Sequence, residues 1–115
     1  MIEMSFAGVP TTNLEAALPW YEARLGRSPD VIVSDDELMW QIRDKSWLDL
    51  VRNLNRAGHA LVTFAVSDLD QTLDEIAAQG LDVPGVETIE GARRKAPVVD
   101  PEGNTITFVH VLAPQ

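Results

Sequence analysis

Val99-Asp100-Pro101-Glu102-Gly103-Asn104-Thr105-Ile106-Thr107-Phe108-Val109 decides the fold. An apolar approach, Val98-Val99, enters Asp-Pro-Glu-Gly-Asn. An alternating run leaves it, with Thr105, Thr107 and Val109 on one side and Ile106 and Phe108 on the other. Period-two alternation marks a half-buried strand, so the stretch reads strand, tight turn, strand. Asp100 can accept hydrogen bonds from the turn backbone, Pro101 presets its own φ, and Gly103 or Asn104 can take the positive φ such turns require. The turn itself is structural. The informative side chains are those on the open face of the strand behind it.

Upstream of the turn, Arg94 to Val99 forms its approach and Val83 to Ile89 holds a weaker strand. Thr105 to Leu112 closes the chain before a tail, Ala113-Pro114-Gln115. Further back, His59 to Val66 alternates as a strand, with Ala60, Val62, Phe64 and Val66 on one face. Ser67 or Asp68 caps a helix carrying Leu69, Leu73, Ile76 and Ala77, which stops at Gly80.

The first half has the same order. Ser5 to Val9 is a short strand. Asn13 caps a helix with Leu14, Leu18, Tyr21 and Leu25 on one face, and Gly26 stops it. Pro19 interrupts that helix, so a looser first turn is expected, with the regular helix starting near Pro19. Val31-Ile32-Val33, Leu38 to Arg43 and Trp47 to Val51 follow as strands. When Asn13-Leu14-Glu15 is laid over Asp68-Leu69-Asp70, Ala7 matches Val62, Val9 matches Phe64, Leu18 matches Leu73 and Tyr21 matches Ile76. Two βαβββ units follow, supported by pattern more than by identity.

Composition bounds the function. The 115 residues suit one domain with one core, and 45% hydrophobic content favours folding. With no cysteine there are no disulfides, thiolate nucleophiles or cysteine metal sites. The net charge of −9 speaks against nucleic acid and anionic membranes and mildly favours cationic ligands. The nearest thing to a basic stripe is Arg93-Arg94-Lys95, in a loop-like stretch. No run of about 18 apolar residues is present, so no membrane span is expected. Met1-Ile2-Glu3-Met4 lacks the marks of a secretory leader, and a cytoplasmic protein is expected.

Asn13-Leu14-Glu15, Pro19-Trp20-Tyr21 and Leu25-Gly26, followed by the Asp100-to-Asn104 turn within a duplicated chain of this size, resemble the vicinal oxygen chelate superfamily. That group includes glyoxalase I, the bleomycin-resistance proteins and the extradiol dioxygenases. The resemblance implies an α+β fold: two βαβββ modules in tandem, with curved mixed sheets forming a cup and helices on its convex side. Module 1 would span about residues 1–53 and module 2 about 59–115, joined by a connector at 54–58 within a single domain. The resemblance also implies a homodimer.

Metal enzymes of the superfamily place His, Gln or Glu on the concave face of the first and last strands of each module. The matching positions here are Phe6, about Asp49, Leu61 and Thr107. Phe6 and Leu61 cannot ligate, and Thr107 is a weak neutral donor. One carboxylate does not hold a catalytic metal. The chain therefore resembles the metal-free, bleomycin-resistance-like branch, with no cofactor and no assigned catalytic residue.

The expected ligand-binding lining is Phe6, Trp47, Asp49, Leu61, Thr63 and Thr107, with Trp40 or Gln41 from the neighbouring strand. Such a surface suits a small aromatic or cationic organic ligand held by sequestration in a dimeric cup. The tryptophans equally suit a filled core or a dimer seam. Competing readings are a metal enzyme using ligands at other positions, such as His59, or metal-free catalysis through Asp49 or His59. A non-catalytic dimeric interaction module is a third. His110 is expected to face the helix layer or solvent.

Overall fold

Strand and helix alternate in the order the repeat predicts. The computed structural model describes residues 1–80, 85–89 and 93–111, with backbone alone at 88, 89, 93 and 111. Its elements are β1 (Ser5–Thr11), α1 (Leu14–Leu25), β2 (Val31–Ser34), β3 (Glu37–Arg43), β4 (Ser46–Arg52), β5 (Leu61–Ala65), α2 (Leu69–Ala78), β6 (Glu87–Ile89), β7 (Arg93–Val99) and β8 (Thr105–Val111). This is an α+β fold of two βαβββ modules. The sheets run β1-β4-β3-β2 and β5-β8-β7-β6. In each, the first strand lies parallel to the last and the remaining pairs are antiparallel.

By contact the chain forms two units. One comprises Met1–Ala60 with the turn Asp100–Asn104, and the other Leu61–Val99 with the residues from Thr105 onward. In the first, strand alternation sends Val9, Leu38, Trp40, Leu48 and Leu50 to one buried face. Leu14, Ala17 and Tyr21 of α1 are buried as well. Burying each large side chain is worth roughly 1.5–3 kcal/mol. In the second unit, Val62, Ala96, Val98, Ile106 and Phe108 form the buried face, with Leu69, Leu73 and Ile76 from α2. His110 shares the register phase of Ile106 and Phe108.

Both helix starts are capped alike. Asn13 accepts from the Ala16 N–H at 3.1 Å and Asp68 from that of Gln71 at 3.0 Å. Gly26 ends α1 with φ of 78°.

Three local expectations are corrected. First, α1 is continuous from Leu14, with Pro19 inside it. Pro19 and Glu15, whose carbonyl loses its donor, are both exposed, so water can replace the missing bond. Second, Arg93-Arg94-Lys95 is not a loop but the start of β7, paired with β6 and β8. Arg94 meets Asp70 of α2 at 2.9 Å. Third, the strand expected from His59 begins at Leu61. The Ala60 N–H goes instead to Asn104 Oδ1 at 2.9 Å. Positions 83, 84 and 112–115 of the expected strands and tail lie outside the described residues. No described helix is long and apolar enough to cross a membrane.

The opening turn is tied to the first unit by a buried hydrogen-bond set. Asp100 Oδ1 accepts from the Glu102 and Asn104 N–H groups at 2.9 and 3.0 Å. Its Oδ2 accepts from Tyr21 Oη at 2.7 Å and Asn104 Nδ2 at 2.9 Å. Asn104 Nδ2 also donates to the Pro10 carbonyl at 2.8 Å. Burial, then the bond to Asp100, pushes the Tyr21 pKa far above its ordinary value. Glycine permits the backbone approach behind the turn. Gly58 has φ of +86°, and a Cβ there would stand 2.4 Å from the Glu102 carbonyl oxygen.

Candidate functional site

Each sheet has a second face that carries no helix-side core residues. On the first sheet, the parallel register sets Phe6 beside Trp47, Gly8 beside Asp49 and Pro10 beside Val51. The antiparallel register adds Gln41 beside Trp47, Met39 beside Asp49 and Glu37 beside Val51. Paired residues share a face, so these side chains form one row of neighbours.

The row has an aromatic plate and an acidic pair. The Phe6 and Trp47 rings stack at 6.2 Å between centroids and 21° between planes. Phe6 is 52% exposed. The indole Nε1–H of Trp47 and Oδ1 of Asp49 are both buried atoms without a hydrogen-bond partner. Burial first, then a hydrogen bond and repulsion from Glu37, raises the Asp49 pKa to about 6. A lone donor and a lone acceptor two residues apart on one strand face are unusual, since a buried unmet polar group costs about 1–3 kcal/mol. An aromatic surface beside a carboxylate can stack a flat ring and attract a positive charge.

Gly8 also borders an open cavity of about 390 Å³, lined by Pro10, Asn55, Arg56, His59 and Ala60 as well. A smaller cavity of about 160 Å³ borders Thr11, Thr12, Asn13 and Glu102. The Glu102 carboxylate there already accepts from the Thr11 and Thr12 hydroxyls and the Thr12 N–H. Burial pushes its pKa up, but those bonds outweigh it and hold it below the ordinary carboxylate value.

The second sheet repeats the geometry with different chemistry. Leu61 pairs with Thr105, and Thr63 with Thr107. Phe6 and Asp49 thus stand where Leu61 and Thr107 stand in their own sheet. Leu61 is 84% exposed. Neither aromatic ring nor carboxylate occurs on this face of β5, β7 and β8 among the described residues.

Of the residues expected from sequence, Phe6, Trp47 and Asp49 fall together on the first sheet, and Leu61, Thr63 and Thr107 on the helix-free face of the second. Trp40 does not join them. It is fully buried on the opposite face, donating Nε1–H to the Arg27 carbonyl at 3.0 Å, with its ring 6.3 Å from Tyr21. Gln41 takes the place beside Trp47. The third tryptophan, Trp20, carries the Arg24 guanidinium 4.0 Å above its ring. Sequence reading missed Glu37, whose parity with Asp49 depends on the β3–β4 register, and the cavity lined by Arg56 and His59.

The metal positions of the superfamily do not fit an ion here. Phe6 and Leu61 bring no donor atom. Among the described residues no three His, Asp or Glu side chains gather as a ligand set.

Residues 4–108 match the family model described as Glyoxalase/Bleomycin resistance protein/Dioxygenase superfamily. No curated protein sequence matches the chain. A glyoxalase / bleomycin resistance protein from Catenulispora acidiphila DSM 44928 is similar over 96% of this chain and 98% of that one, at 34% identity and a TM-score of 0.87. TnmS3, an antibiotic binding protein from Streptomyces sp. CB03234, shares the fold at 20% identity and TM-score 0.75, over 96% and 97% of the two chains. A bleomycin-binding protein complexed with bleomycin does so at 18% identity and TM-score 0.75, over 93% and 97%.

Proposed function

The chain belongs to the Glyoxalase/Bleomycin resistance protein/Dioxygenase superfamily, and within it we propose a metal-free small-molecule-binding protein that sequesters a cationic aromatic compound. The ring lies against Phe6 and Trp47, and the positive charge faces Asp49 and Glu37. One observation carries this reading: the unpartnered Trp47 Nε1–H and Asp49 Oδ1 beside the stacked rings. A ligand that accepts from the indole and donates to the carboxylate would satisfy both. Leu61, Thr63 and Thr107 offer an apolar and hydroxyl binding surface on the second sheet, and the working form is a homodimer. The bleomycin-binding and antibiotic-binding neighbours lend support, because their fold houses organic ligands.

Calorimetric titration with bleomycin and with simple cationic aromatics such as proflavine tests the proposal. Saturable binding is expected, together with a metal-to-protein ratio near zero in the purified protein. A stoichiometric divalent ion, or no binding across the panel, would overturn it.

A second reading is metal-free catalysis with Asp49 as general base, favoured by its pKa of about 6. It predicts turnover of a bound compound, abolished by Asp49→Asn, where sequestration predicts the compound recovered unchanged.

A further inference from the structure

The cavity beside Gly8 is not explained by a site for a cationic aromatic ring. Its lining brings a guanidinium from Arg56, an imidazole from His59 and an amide from Asn55. Among the described residues the Arg56 side chain has no ion pair and no hydrogen bond, whereas Arg27 pairs with Asp30 and Arg94 with Asp70. In a chain of net charge −9, Arg56 brings a positive charge with no carboxylate partner to the wall of this cavity. The surrounding acidity makes that arginine the local place where a negative group is welcome.

The cavity is next to the site. Gly8 lines it and is also the register partner of Asp49. Adjacent strands lie about 4.8 Å apart, so the Asp49 backbone is one strand spacing from the Gly8 backbone that borders the cavity. The space beside Gly8 is open, since a Cβ there would meet nothing within 4 Å.

We propose that the cavity is a carboxylate subsite in which Arg56, with His59 and Asn55, receives the acidic group of a ligand whose aromatic, cationic part lies on Phe6, Trp47 and Asp49. The ligand class is then zwitterionic: an aromatic ring, an amine and a carboxylate, as in aromatic amino acids or antibiotics bearing that unit. This rests on the reading of the aromatic and acidic row as a binding site. Guanidinium matches carboxylate in a two-bond fork, and a single arginine balances one negative charge. A dianionic phosphate would be undercompensated in so acidic a protein.

Two probes that differ by one carboxylate make the test: 2-naphthylethylamine and 2-naphthylalanine, titrated by NMR chemical-shift mapping at neutral pH. The amino acid is expected to bind about tenfold tighter than the amine, the scale of one charged hydrogen-bonded contact. Its added shifts should centre on Asn55, Arg56 and His59. Arg56→Gln should remove the tenfold advantage and leave the amine's affinity unchanged. If the amine binds and the amino acid gains nothing, the subsite is overturned while the row remains a binding site. If neither probe shifts the row or the cavity, the subsite and the binding reading fall together.

Discussion

The two modules share one backbone plan and differ on one face. On the helix side, each sheet is apolar and each helix start is capped by Asn13 or Asp68. On the other side, Phe6, Trp47 and Asp49 in the first module correspond to Leu61, Thr105 and Thr107 in the second. Folding constrains the buried face, because losing apolar contacts there costs several kcal/mol. The opposite face is free to carry chemistry: the first module puts an aromatic plate there beside Asp49 and Glu37, whereas among the described residues of the second sheet it holds no ring and, as its carboxylate, Glu87 on the edge strand β6. The modules also differ in anchoring. The first holds the Asp100–Asn104 turn through Tyr21, Pro10 and Thr12, although that turn joins two strands of the second sheet.

The largest effect is expected from breaking that anchor. Asp100→Ala removes the acceptor of four hydrogen bonds in a buried set and should cost about 3 kcal/mol, read as a lower denaturant midpoint at unchanged slope. Gly58→Ala should cost a comparable amount, since its Cβ would meet the Glu102 carbonyl. Removing the cap of the second module by Asp68→Ala should cost about 1 kcal/mol by the same measurement. If the two modules respond equally, the asymmetry in anchoring is wrong.

A smaller change of opposite sign is expected at Asp49. Its folded pKa of about 6 lies above the ordinary 3.8. Between those values the folded state binds more protons than the unfolded one, so stability falls as pH rises through that window and stays lower above it. Asp49→Asn escapes this loss. It should stabilise the protein at pH 8 by about 1 kcal/mol, discounted for solvent screening, and leave it unchanged near pH 3. Thr107→Asn, at the matching position of the second sheet, should show no such pH dependence. Smallest of all, Arg94→Ala breaks an exposed pair with Asp70 and should leave the thermal midpoint unmoved within error.

Much of this was legible in the residues. Alternation and caps gave the element order, and the Asp-Pro-Glu-Gly-Asn turn gave the strand pair behind it. Three features were not, each for a physical reason. Trp40 and Gln41 alternate, so only the β3–β4 register, with its irregularity between Gln41 and Arg43, decides which one shares the face of Trp47. Pro19 reads as a break because propensity cannot see that its missing bond lies at an exposed surface. Glu102 reads as a solvated turn residue, yet its partners Thr11 and Thr12 are at the far end of the chain. At the site, Phe6, Trp47 and Asp49 could be named from sequence, but the unmet polar atoms among them depend on tertiary burial.

Titration calorimetry of 2-naphthylethylamine into the wild-type protein and into Asp49→Asn, at pH 7.5 and again at pH 5, addresses the central claim most directly. The wild type should bind the amine about tenfold more tightly than the variant at pH 7.5. Its advantage should shrink at pH 5, because Asp49 takes up a proton as pH falls through about 6. Equal affinity of the two proteins at pH 7.5, or an advantage that does not change with pH, would contradict the assignment of Asp49 as the cation-binding group.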